Sequence, residues 1–406
     1  MNLLAPPYDR LWMPVYVPSL LNALSQMALL ILLPLYVLEL GHGPAFAATV
    51  VGLRGVGILL FDIPAGVLVA RFGDKPVLLG GLALILAGNL LLAAVSHPWL
   101  LALAALLLGA GFSAWMLGRQ SYIADTCESH EVGRAIAVMA GLQRVGMFVG
   151  PAAGGLLAGY AGYPVTFAAG AAVALVAGVL VLAFTKNVPP VAAVREAAFR
   201  GTGAVLRSHG KIFATAGVAA FSLQLMRAAR QVLVPLFGAA VGLDVAQIGL
   251  VYSLSSAVDM SLFYPVGIWV DRRGRKWSAV SSTLSFAAGL ALLPAVAGFY
   301  SLLAVGVLLG IANGLGTGIV MIIGADISRQ TEHRGQFLGL WRLIGDVGMS
   351  AAPLLTGALA GTASLAAASF GVAGFGFVGA VLMMTVVPET LRRPQAGAAT
   401  AARRRP

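Results

Sequence analysis

The 406-residue sequence predicts an all-α polytopic membrane protein with twelve transmembrane helices in two six-helix bundles. Two observations predict this fold class. The first is composition: 59% of the residues are hydrophobic and only 10% are charged, whereas a soluble domain carries roughly a quarter charged residues. The second is a parallel internal repeat, in which several motifs recur at one constant offset of 201 positions. A repeat of this length indicates a duplicated structural unit.

The repeat is clearest in two ten-residue stretches, GVLVARFGDK and GIWVDRRGRK. The positions shared by the two stretches are Gly66, Arg71, Gly73 and Lys75 in the first, and Gly267, Arg272, Gly274 and Lys276 in the second. Further pairs at the same offset are Pro34 and Pro235, Pro64 and Pro265, Gly109 and Gly310, and Ala124-Asp125 and Ala325-Asp326. The chain is therefore a tandem duplication.

Runs of about 20 apolar residues can cross a bilayer as helices, and each repeat contains six. The first repeat has runs at approximately 12–38, 46–69, 77–95, 99–122, 135–159 and 164–184. The second has runs at approximately 212–238, 246–269, 278–297, 300–323, 336–360 and 364–387. The 51 glycines favour helices whose backbones approach closely. Barrel strands are excluded, because these runs are too long and lack polar alternation.

These runs divide the chain into four parts. Residues 1–185 and 212–390 are predicted to form the N-terminal and C-terminal bundles. Residues 186–211 are predicted to be a cytoplasmic linker with a short amphipathic helix, since such segments pair basic and apolar faces. Residues 391–406 are expected to be a disordered basic tail near anionic lipid.

The distribution of basic residues predicts the orientation. Of the 26 Lys and Arg, six lie inside the apolar runs and the other 20 lie in the N-terminus, the even-to-odd connections or the C-terminal tail. The positive-inside rule therefore predicts cytoplasmic termini in a plasma (inner) membrane protein. The net charge of +11 is scattered over short loops, which argues against a nucleic-acid-binding face.

The motif G-x-x-x-D-R-x-G-R-K after predicted helix 8, within a duplicated array of six helices, resembles the major facilitator superfamily over the whole chain. Helix 5 resembles the antiporter motif of the drug–proton branch, with Gly146, Gly150, Pro151, Gly154 and Gly155. The stretch Tyr122-Ile123-Ala124-Asp125 and Arg134 are also similar to tetracycline-type efflux proteins. The resemblance implies alternating access between two bundles and a conformational latch in the repeated loop.

Three departures from the family pattern leave the sign of the substrate's charge open. The first loop copy has Ala70 where the family has Asp, although Asp271 is present in the second copy. The Arg that drug antiporters carry in the first half of helix 4 is missing, since Arg119 lies too near the end of that helix. Helix 7 carries two arginines, Arg227 and Arg230, that a cation exporter does not need.

Both motifs also have physical interpretations that do not depend on the resemblance. In helix 5, glycines four apart leave a smooth stripe for a neighbouring helix, and Pro151 bends the helix. A simple packing seam is the alternative to a role in transport. Asp271 is expected to accept hydrogen bonds at a neighbouring helix N-terminus, where the dipole favours an anion. A turn that only sets topology is the alternative there.

An ionisable residue in the bilayer centre costs roughly 2.5–3.5 kcal/mol, which makes it a functional candidate. At a rise of 1.5 Å per residue, four residues lie about 13–18 Å deep, near the midplane of a core about 30 Å thick: Asp62, Arg144, Asp259 and Asp346. In the fold that the chain resembles, helix 2 meets helix 11 and helix 5 meets helix 8. The resemblance therefore implies inter-bundle pairs of Asp62 with Arg342 and of Arg144 with Asp259. At least one of the carboxylates of Asp62 and Asp259 is expected to carry the transported proton. The alternative is that Arg342 pairs with Asp346 in its own helix and that the other charges are static pairs.

Helices 1, 4, 7 and 10 line the central cavity in this superfamily. The polar residues on these helices that could line it are Asn22, Gln26, Gln224, Arg227, Arg230, Asn313 and Thr317. Two arginines on one face of helix 7 favour an anionic or zwitterionic substrate. The alternative is that one bonds to helix-end carbonyls and the other pairs with Asp62 or Glu39. Arg54 and Arg119 are expected to extend toward the membrane surfaces.

These observations predict a secondary active transporter that is not an enzyme, because the sequence has no nucleophile–base cluster, metal-ligand set or phosphate-binding loop. Proton-coupled efflux of a drug or metabolite is the first expectation. Transport of an organic anion or zwitterion, as uptake or export, is the second, and a non-transporting receptor is a distant third. No cofactor or metal is expected. The expected partners are a small-molecule substrate, protons and the lipid bilayer, with no nucleic acid, and the protein is expected to be a monomer.

Overall fold

The structure, a computed structural model, describes residues 8–128, 130–186, 202–328, 331, 334–387 and 389. In this part of the chain twelve helices are long and apolar enough to cross a membrane, which confirms the predicted fold class. The first six, α1 to α6, are Trp12–Glu39, Pro44–Phe72, Asp74–Ala94, Pro98–Thr126, Val132–Ala161 and Tyr163–Phe184. The second six, α7 to α12, are Gly210–Ala240, Val245–Arg272, Arg275–Ala295, Phe299–Ser328, Arg334–Thr362 and Leu365–Thr385.

The duplication extends to irregular backbone geometry. A single π-helical turn opens α1 at Trp12–Tyr16, and another opens α7 at Phe213–Gly217, 201 positions later. Gly73 between α2 and α3 has a φ of 83°, and its counterpart Gly274 between α8 and α9 has a φ of 114°. Side chains other than hydrogen rarely tolerate such angles, so both copies of the loop require glycine at this position.

Helix packing within each half also follows the repeat. A β-carbon on Gly109 in α4 would overlap the backbone carbonyl of Arg54 in α2, and one on Gly310 in α10 would overlap the carbonyl of Ser255 in α8. Both residues of the second contact lie 201 positions after those of the first. Helix backbones therefore touch directly at these points, as small residues permit in a membrane interior.

Contacts between the halves occur where the family resemblance implied. Helix α2 packs along α11, and α5 packs along α8. Helices α1 and α7 also touch. The end of the bundles where α2, α4 and α8 finish, which carries Arg71, Lys75, Arg272 and Lys276, is called the basic face here; the other end is the opposite face.

The closest contacts between the halves lie toward the opposite face. A β-carbon on Gly155 of α5 would lie 2.7 Å from the Val245 carbonyl oxygen at the start of α8. A β-carbon on Gly357 of α11 would lie 2.9 Å from Thr49 Oγ1, near the start of α2. The two halves are therefore closed against each other at the opposite face.

Helix α10 differs from its predicted single run at 300–323. Its first part, Phe299–Leu315, ends in a turn, and a second part continues as Ile319–Ser328. Gly318 in the turn has a φ of 71°. The linker contains a short helix at Thr202–Ser208. Residues 187–201 of the linker and the predicted tail at 391–406 lie outside the described residues, so those two predictions are not tested.

Candidate functional site

A cavity of about 370 Å³ lies between the two halves near the middle of the helices. It is lined by Met27, Ala140, Gln143, Arg144, Met147, Gln224, Arg227, Arg230, Gln231, Tyr252, Ser256, Asp259, Asn313, Thr317, Gly318 and Met349. A second cavity of about 580 Å³ shares Gln224, Arg227 and Gly318 with it and extends toward the basic face, past Gln120 and Trp341. Together they form a space that reaches from the midplane toward the basic face.

Five residues predicted for the cavity line it: Gln224, Arg227, Arg230, Asn313 and Thr317. Two others, Asn22 and Gln26, are buried and do not line it. Gln26 Oε1 instead accepts a hydrogen bond of 2.7 Å from Nη2 of Arg54. The expectation that Arg54 reaches a membrane surface was also wrong. Its buried guanidinium needs an acceptor inside the bundle, and Gln26 supplies one.

Arg227 is held by backbone and side-chain acceptors of its own half. Its Nη1 donates to Gln224 Oε1 at 2.8 Å, and its Nη2 donates to the carbonyl oxygen of Gly316 at 2.5 Å. Gly316 lies in the turn that interrupts α10. One alternative predicted for helix 7 was an arginine that bonds to helix-end carbonyls. Arg227 makes such a bond.

Arg230 is buried between α7, α8 and α10. Its Nη2 donates to Ser255 Oγ at 2.8 Å and its Nη1 donates to the Leu309 carbonyl at 3.4 Å. The guanidinium carbon lies 4.8 Å from the centroid of the Tyr252 ring. Neither of the acidic partners considered from the sequence, Asp62 or Glu39, forms a salt bridge with it.

Asp259 of α8 is 5% exposed and accepts hydrogen bonds from α10. Asn313 Nδ2 donates to it at 2.8 Å and Thr317 Oγ1 at 3.4 Å. Arg144 of α5 is not its salt-bridge partner; its guanidinium carbon lies 4.0 Å from the centroid of the Phe263 ring. The expected pair of Arg144 with Asp259 is thus not formed in this conformation, because α10 supplies the donors to the carboxylate.

The other expected inter-bundle pair, Asp62 with Arg342, is not formed either. Asp62 accepts a short hydrogen bond from Ser113 Oγ of α4. Arg342 Nε lies 3.5 Å from Oδ2 of Asp346, four residues along the same helix. The intrahelical alternative is therefore the arrangement found. Helices α2 and α11 are in closest contact toward the opposite face. Asp62 and Arg342 lie nearer the basic face, outside that contact.

The connected cavities have an excess of positive charge. Four arginines line them: Arg144, Arg227, Arg230 and Arg342. Two aspartates line them, Asp259 and Asp346. Four positive charges minus two negative charges leave a net charge of +2 among the charged residues that line this space.

Several lining residues were missed because only helices 1, 4, 7 and 10 were assigned to the cavity. Helices α5 and α8 also contribute, with Gln143, Tyr252 and Ser256. Polar residues in the middle of apolar runs were the signal that could have identified them. Methionines at 27, 147 and 349 carry no such signal, since methionine is an ordinary apolar core residue.

The glycines of the helix 5 motif contact two partners. A β-carbon on Gly146, Gly150 or Gly154 would lie 2.5–2.7 Å from Ala23, Leu24 or Ala28 of α1. Gly155 instead faces α8 across the halves. Next to Pro151, the backbone N–H of Ala152 donates to Ser253 Oγ of α8 at 2.9 Å. The motif therefore joins α5 to both α1 and the other bundle.

The second copy of the loop motif is capped by a residue that the sequence did not suggest. Glu389, just after α12, accepts from the backbone N–H of Arg275 at 2.9 Å and of Lys276 at 3.1 Å. These are the first N–H groups of α9, where a carboxylate is favoured. Asp271, which was expected to be such a cap, is exposed and forms no hydrogen bond or ion pair with the described residues.

The two loop copies differ in their charged contacts. Arg275 Nε lies 3.2 Å from Asp326 Oδ2 in the second half. The equivalent positions of the first half hold Asp74 and Asp125, two carboxylates, with Asp74 2% exposed beside Asp125. Lys75 Nζ donates to the Leu182 carbonyl at 2.8 Å. The second half thus has an ion pair where the first half has two carboxylates.

In the part of the chain that the structure describes, no group of three or more His, Cys, Asp and Glu side chains is placed to hold a metal ion. A family profile described as Major Facilitator Superfamily matches residues 16–228 and again residues 216–406.

Two curated relatives are named multidrug resistance protein MdtH. The one from Yersinia enterocolitica serotype O:8 / biotype 1B is 25% identical over 261 residues, which cover 63% of this chain and 63% of the relative. The one from Yersinia pestis strain Pestoides F is 25% identical over 261 residues, which cover 62% of this chain and 63% of the relative. The match thus spans less than two thirds of the length of these relatives.

Two solved structures have a similar fold. A POT family transporter in complex with a thioalcohol-conjugated peptide superposes with a TM-score of 0.75 at 12% identity, over 93% of this chain and 95% of that chain. A mutant of the nucleoside transporter NupG superposes with a TM-score of 0.70 at 16% identity, over 91% of this chain and 98% of that chain. At these identities the similarity concerns the fold alone.

Proposed function

Because this chain belongs to the Major Facilitator Superfamily, we propose that it is a secondary active transporter that moves a small organic molecule by alternating access. The observation that carries the proposal is the cavity of about 370 Å³ between the halves. It continues toward the basic face, while Gly155 and Gly357 seal the halves at the opposite face. Rocking the halves about the midplane would exchange the open and the closed ends.

We propose that the basic face is cytoplasmic and that the membrane is the inner membrane. The support is the confinement of 20 basic residues to one side of the predicted spans. A single cysteine introduced at His42 or Gly162 in a Cys127→Ser protein should react with an impermeant maleimide from outside intact cells. A cysteine at His130 should be protected, and the reverse pattern would invert the orientation.

We further propose that transport is efflux driven by the proton gradient. The relatives named multidrug resistance proteins support export. The buried carboxylate of Asp259 supports proton coupling, since an acid lining an intramembrane cavity is a suitable proton carrier. Protonation would remove its charge and weaken its hydrogen bonds from Asn313 and Thr317, which would favour a different arrangement of α8 against α10.

A second candidate function is transport of an organic anion or zwitterion. The observation that favours it is the net charge of +2 in the connected cavities. A lipophilic cation would meet like charges there, whereas an anion would be attracted. The two candidates differ in the sign of the substrate and can share the proton-driven mechanism.

The test is reconstitution of the purified protein in proteoliposomes with an imposed pH gradient. A panel of radiolabelled anionic, zwitterionic, neutral and cationic compounds is added, and accumulation is followed with time. Gradient-dependent accumulation of at least one compound, lost on addition of a protonophore and absent from empty liposomes, is the expected result. If every transported compound accumulates equally with and without the pH gradient, proton coupling is excluded.

A further inference from the structure

We propose that Arg144 binds the anionic head group of the substrate and that the substrate class is amphiphilic organic anions with one carboxylate or sulfonate group. The inference rests on the proposed transport function, because it assigns the substrate of the same cavity. The two arginines of helix 7 are the anion-binding candidates that the sequence predicts. The hydrogen bonds of the four cavity arginines favour a different residue.

Three of the four cavity arginines already have polar partners. Arg227 bonds to Gln224 and Gly316, Arg230 bonds to Ser255 and Leu309, and Arg342 pairs with Asp346; these contacts lie at 2.5–3.5 Å. A guanidinium with its donors used in this way has fewer left for a ligand. Arg144 forms no hydrogen bond or salt bridge with any of the described residues.

The contact that Arg144 does make leaves its donors available. Its guanidinium carbon lies 4.0 Å from the centroid of the Phe263 ring. A guanidinium stacked on an aromatic face keeps its N–H groups at its edge, where two of them can grip a carboxylate or sulfonate together.

The nearest acid on the neighbouring helix does not compete for this site. Asp259 is engaged by Asn313 and Thr317. A cation near the centre of the membrane without an anionic partner is costly, and a cation–π contact offsets only about 0.5–2 kcal/mol of that cost. An anionic ligand would supply the missing counter-charge.

The remaining wall suits an apolar body. Met27, Met147 and Met349 line the same cavity, and methionine side chains adapt to differently shaped apolar ligands. Arg144 belongs to the first half, whereas the other polar groups on α7, α8 and α10 belong to the second. A bound amphiphilic anion would therefore contact both halves, as a substrate of alternating access must.

Three probes that share the same apolar group and differ only in the head group separate the effect of head-group charge on binding from that of hydrophobicity. We would measure the binding of 4-phenylbutyrate, 4-phenylbutanol and 4-phenylbutylamine to the purified protein in lipid nanodiscs by calorimetry. The variants are Arg144→Gln, Arg144→Lys and, as a control, Arg134→Gln. Arg134 is an exposed arginine of the same helix, about 15 Å from Arg144 along the helix axis.

In the wild type, the anion should bind at least about tenfold more tightly than the amine, as expected for one charge-assisted contact. Arg144→Gln should remove that preference and leave alcohol binding within about twofold. Arg144→Lys should retain part of the preference, because it keeps the charge and loses the paired donors. Arg134→Gln should match the wild type.

Tighter binding of the amine, no measurable binding of 4-phenylbutyrate by the wild type, or an unchanged anion preference in Arg144→Gln would each overturn the assignment. If Arg144→Gln fails to fold, Arg144→Lys decides the assignment, because an anion preference equal to that of the wild type would overturn it. Binding is measured without a pH gradient, so the two proposals are tested separately. The protein can bind the anion through Arg144 without proton-driven transport, and it can show proton-driven transport without this anion preference.

Discussion

Arg227 of α7 donates a hydrogen bond of 2.5 Å to the carbonyl oxygen of Gly316, at the point where α10 is interrupted. At this turn the Gly316 carbonyl oxygen also accepts the backbone N–H of Ile319, at 3.2 Å. The guanidinium from the neighbouring helix is therefore a second donor to this oxygen, and it ties α7 to the turn in α10. A β-carbon at Gly316 would overlap Ser282 Oγ and would lie 2.8 Å from Nη2 of Arg227, so glycine leaves room for both side chains.

We predict that Arg227→Ala lowers the stability of the protein. The change removes the buried charged donor to Gln224 and to the Gly316 carbonyl, and a hydrogen bond to a charged group is worth about 1.5–3 kcal/mol. The measurement is the thermal unfolding midpoint of the purified protein in detergent. Arg207→Ala, which truncates an exposed arginine on the short helix Thr202–Ser208, is the control. Equal midpoints for the two variants would mean that the bond to Gly316 contributes no stability.

A second prediction concerns the seal at the opposite face. Gly155→Ala places a methyl group 2.7 Å from the Val245 carbonyl, whereas Gly159→Ala, four residues further on, meets its neighbours at 3.7 Å. Only the first variant should force α5 and α8 apart. The measurement is labelling of a cysteine at Gln143, in a Cys127→Ser protein, by an impermeant maleimide applied from the opposite face.

Labelling should be faster in Gly155→Ala than in the parent protein and unchanged in Gly159→Ala. The same slow rate in all three proteins would show that another contact makes the seal. Faster labelling in both variants would point to general loosening of α5.

Which of these features the sequence could predict depends on how local they are. The spans, the duplication and the glycines at 73 and 274 depend on segments of a few residues to a single helix, and they were predictable. The partner of Arg144 was not, because it depends on the rotation of α5 and on the conformation of the two halves. Gln26 was assigned to the cavity for its polarity, but the nearby buried Arg54 binds it. The closely spaced glycines 314, 316 and 318 indicated the turn in α10. The length of the apolar run alone does not indicate it.

A third prediction follows from the difference between the two loop copies. Asp74→Asn should raise the unfolding midpoint, because it removes one of two neighbouring carboxylates from a buried position. Asp326→Asn should lower it, because Arg275 would lose its carboxylate partner. Thermal unfolding of both variants beside the wild type checks the opposite signs. Shifts in the same direction would contradict the interpretation of the two loops.

A fourth prediction concerns Cys127, between α4 and α5. Burial raises the pKa of its thiol, the carboxylate of Glu131 raises it further, and the Arg10 guanidinium lowers it. A higher pKa means less thiolate, and therefore slower alkylation, at a given pH. Glu131→Gln should lower the pKa, so alkylation at pH 8 should become faster.

The check is the rate of iodoacetamide alkylation against pH. Glu128→Gln is the control, because that side chain is 73% exposed and solvent screens its charge. The midpoint of the profile should move to lower pH in Glu131→Gln and stay near the wild-type value in Glu128→Gln. A midpoint unchanged by Glu131→Gln would show that burial alone sets the thiol pKa.

The most direct test of whether a midplane carboxylate couples proton movement to transport is Asp259→Asn in proteoliposomes. Asparagine keeps the size of the side chain and cannot carry a proton. Two rates are compared with the wild type for one transported compound: accumulation driven by a pH gradient, and exchange across the membrane at equal pH. We expect Asp259→Asn to lose gradient-driven accumulation and to retain exchange. Full gradient-driven accumulation by Asp259→Asn would contradict this expectation.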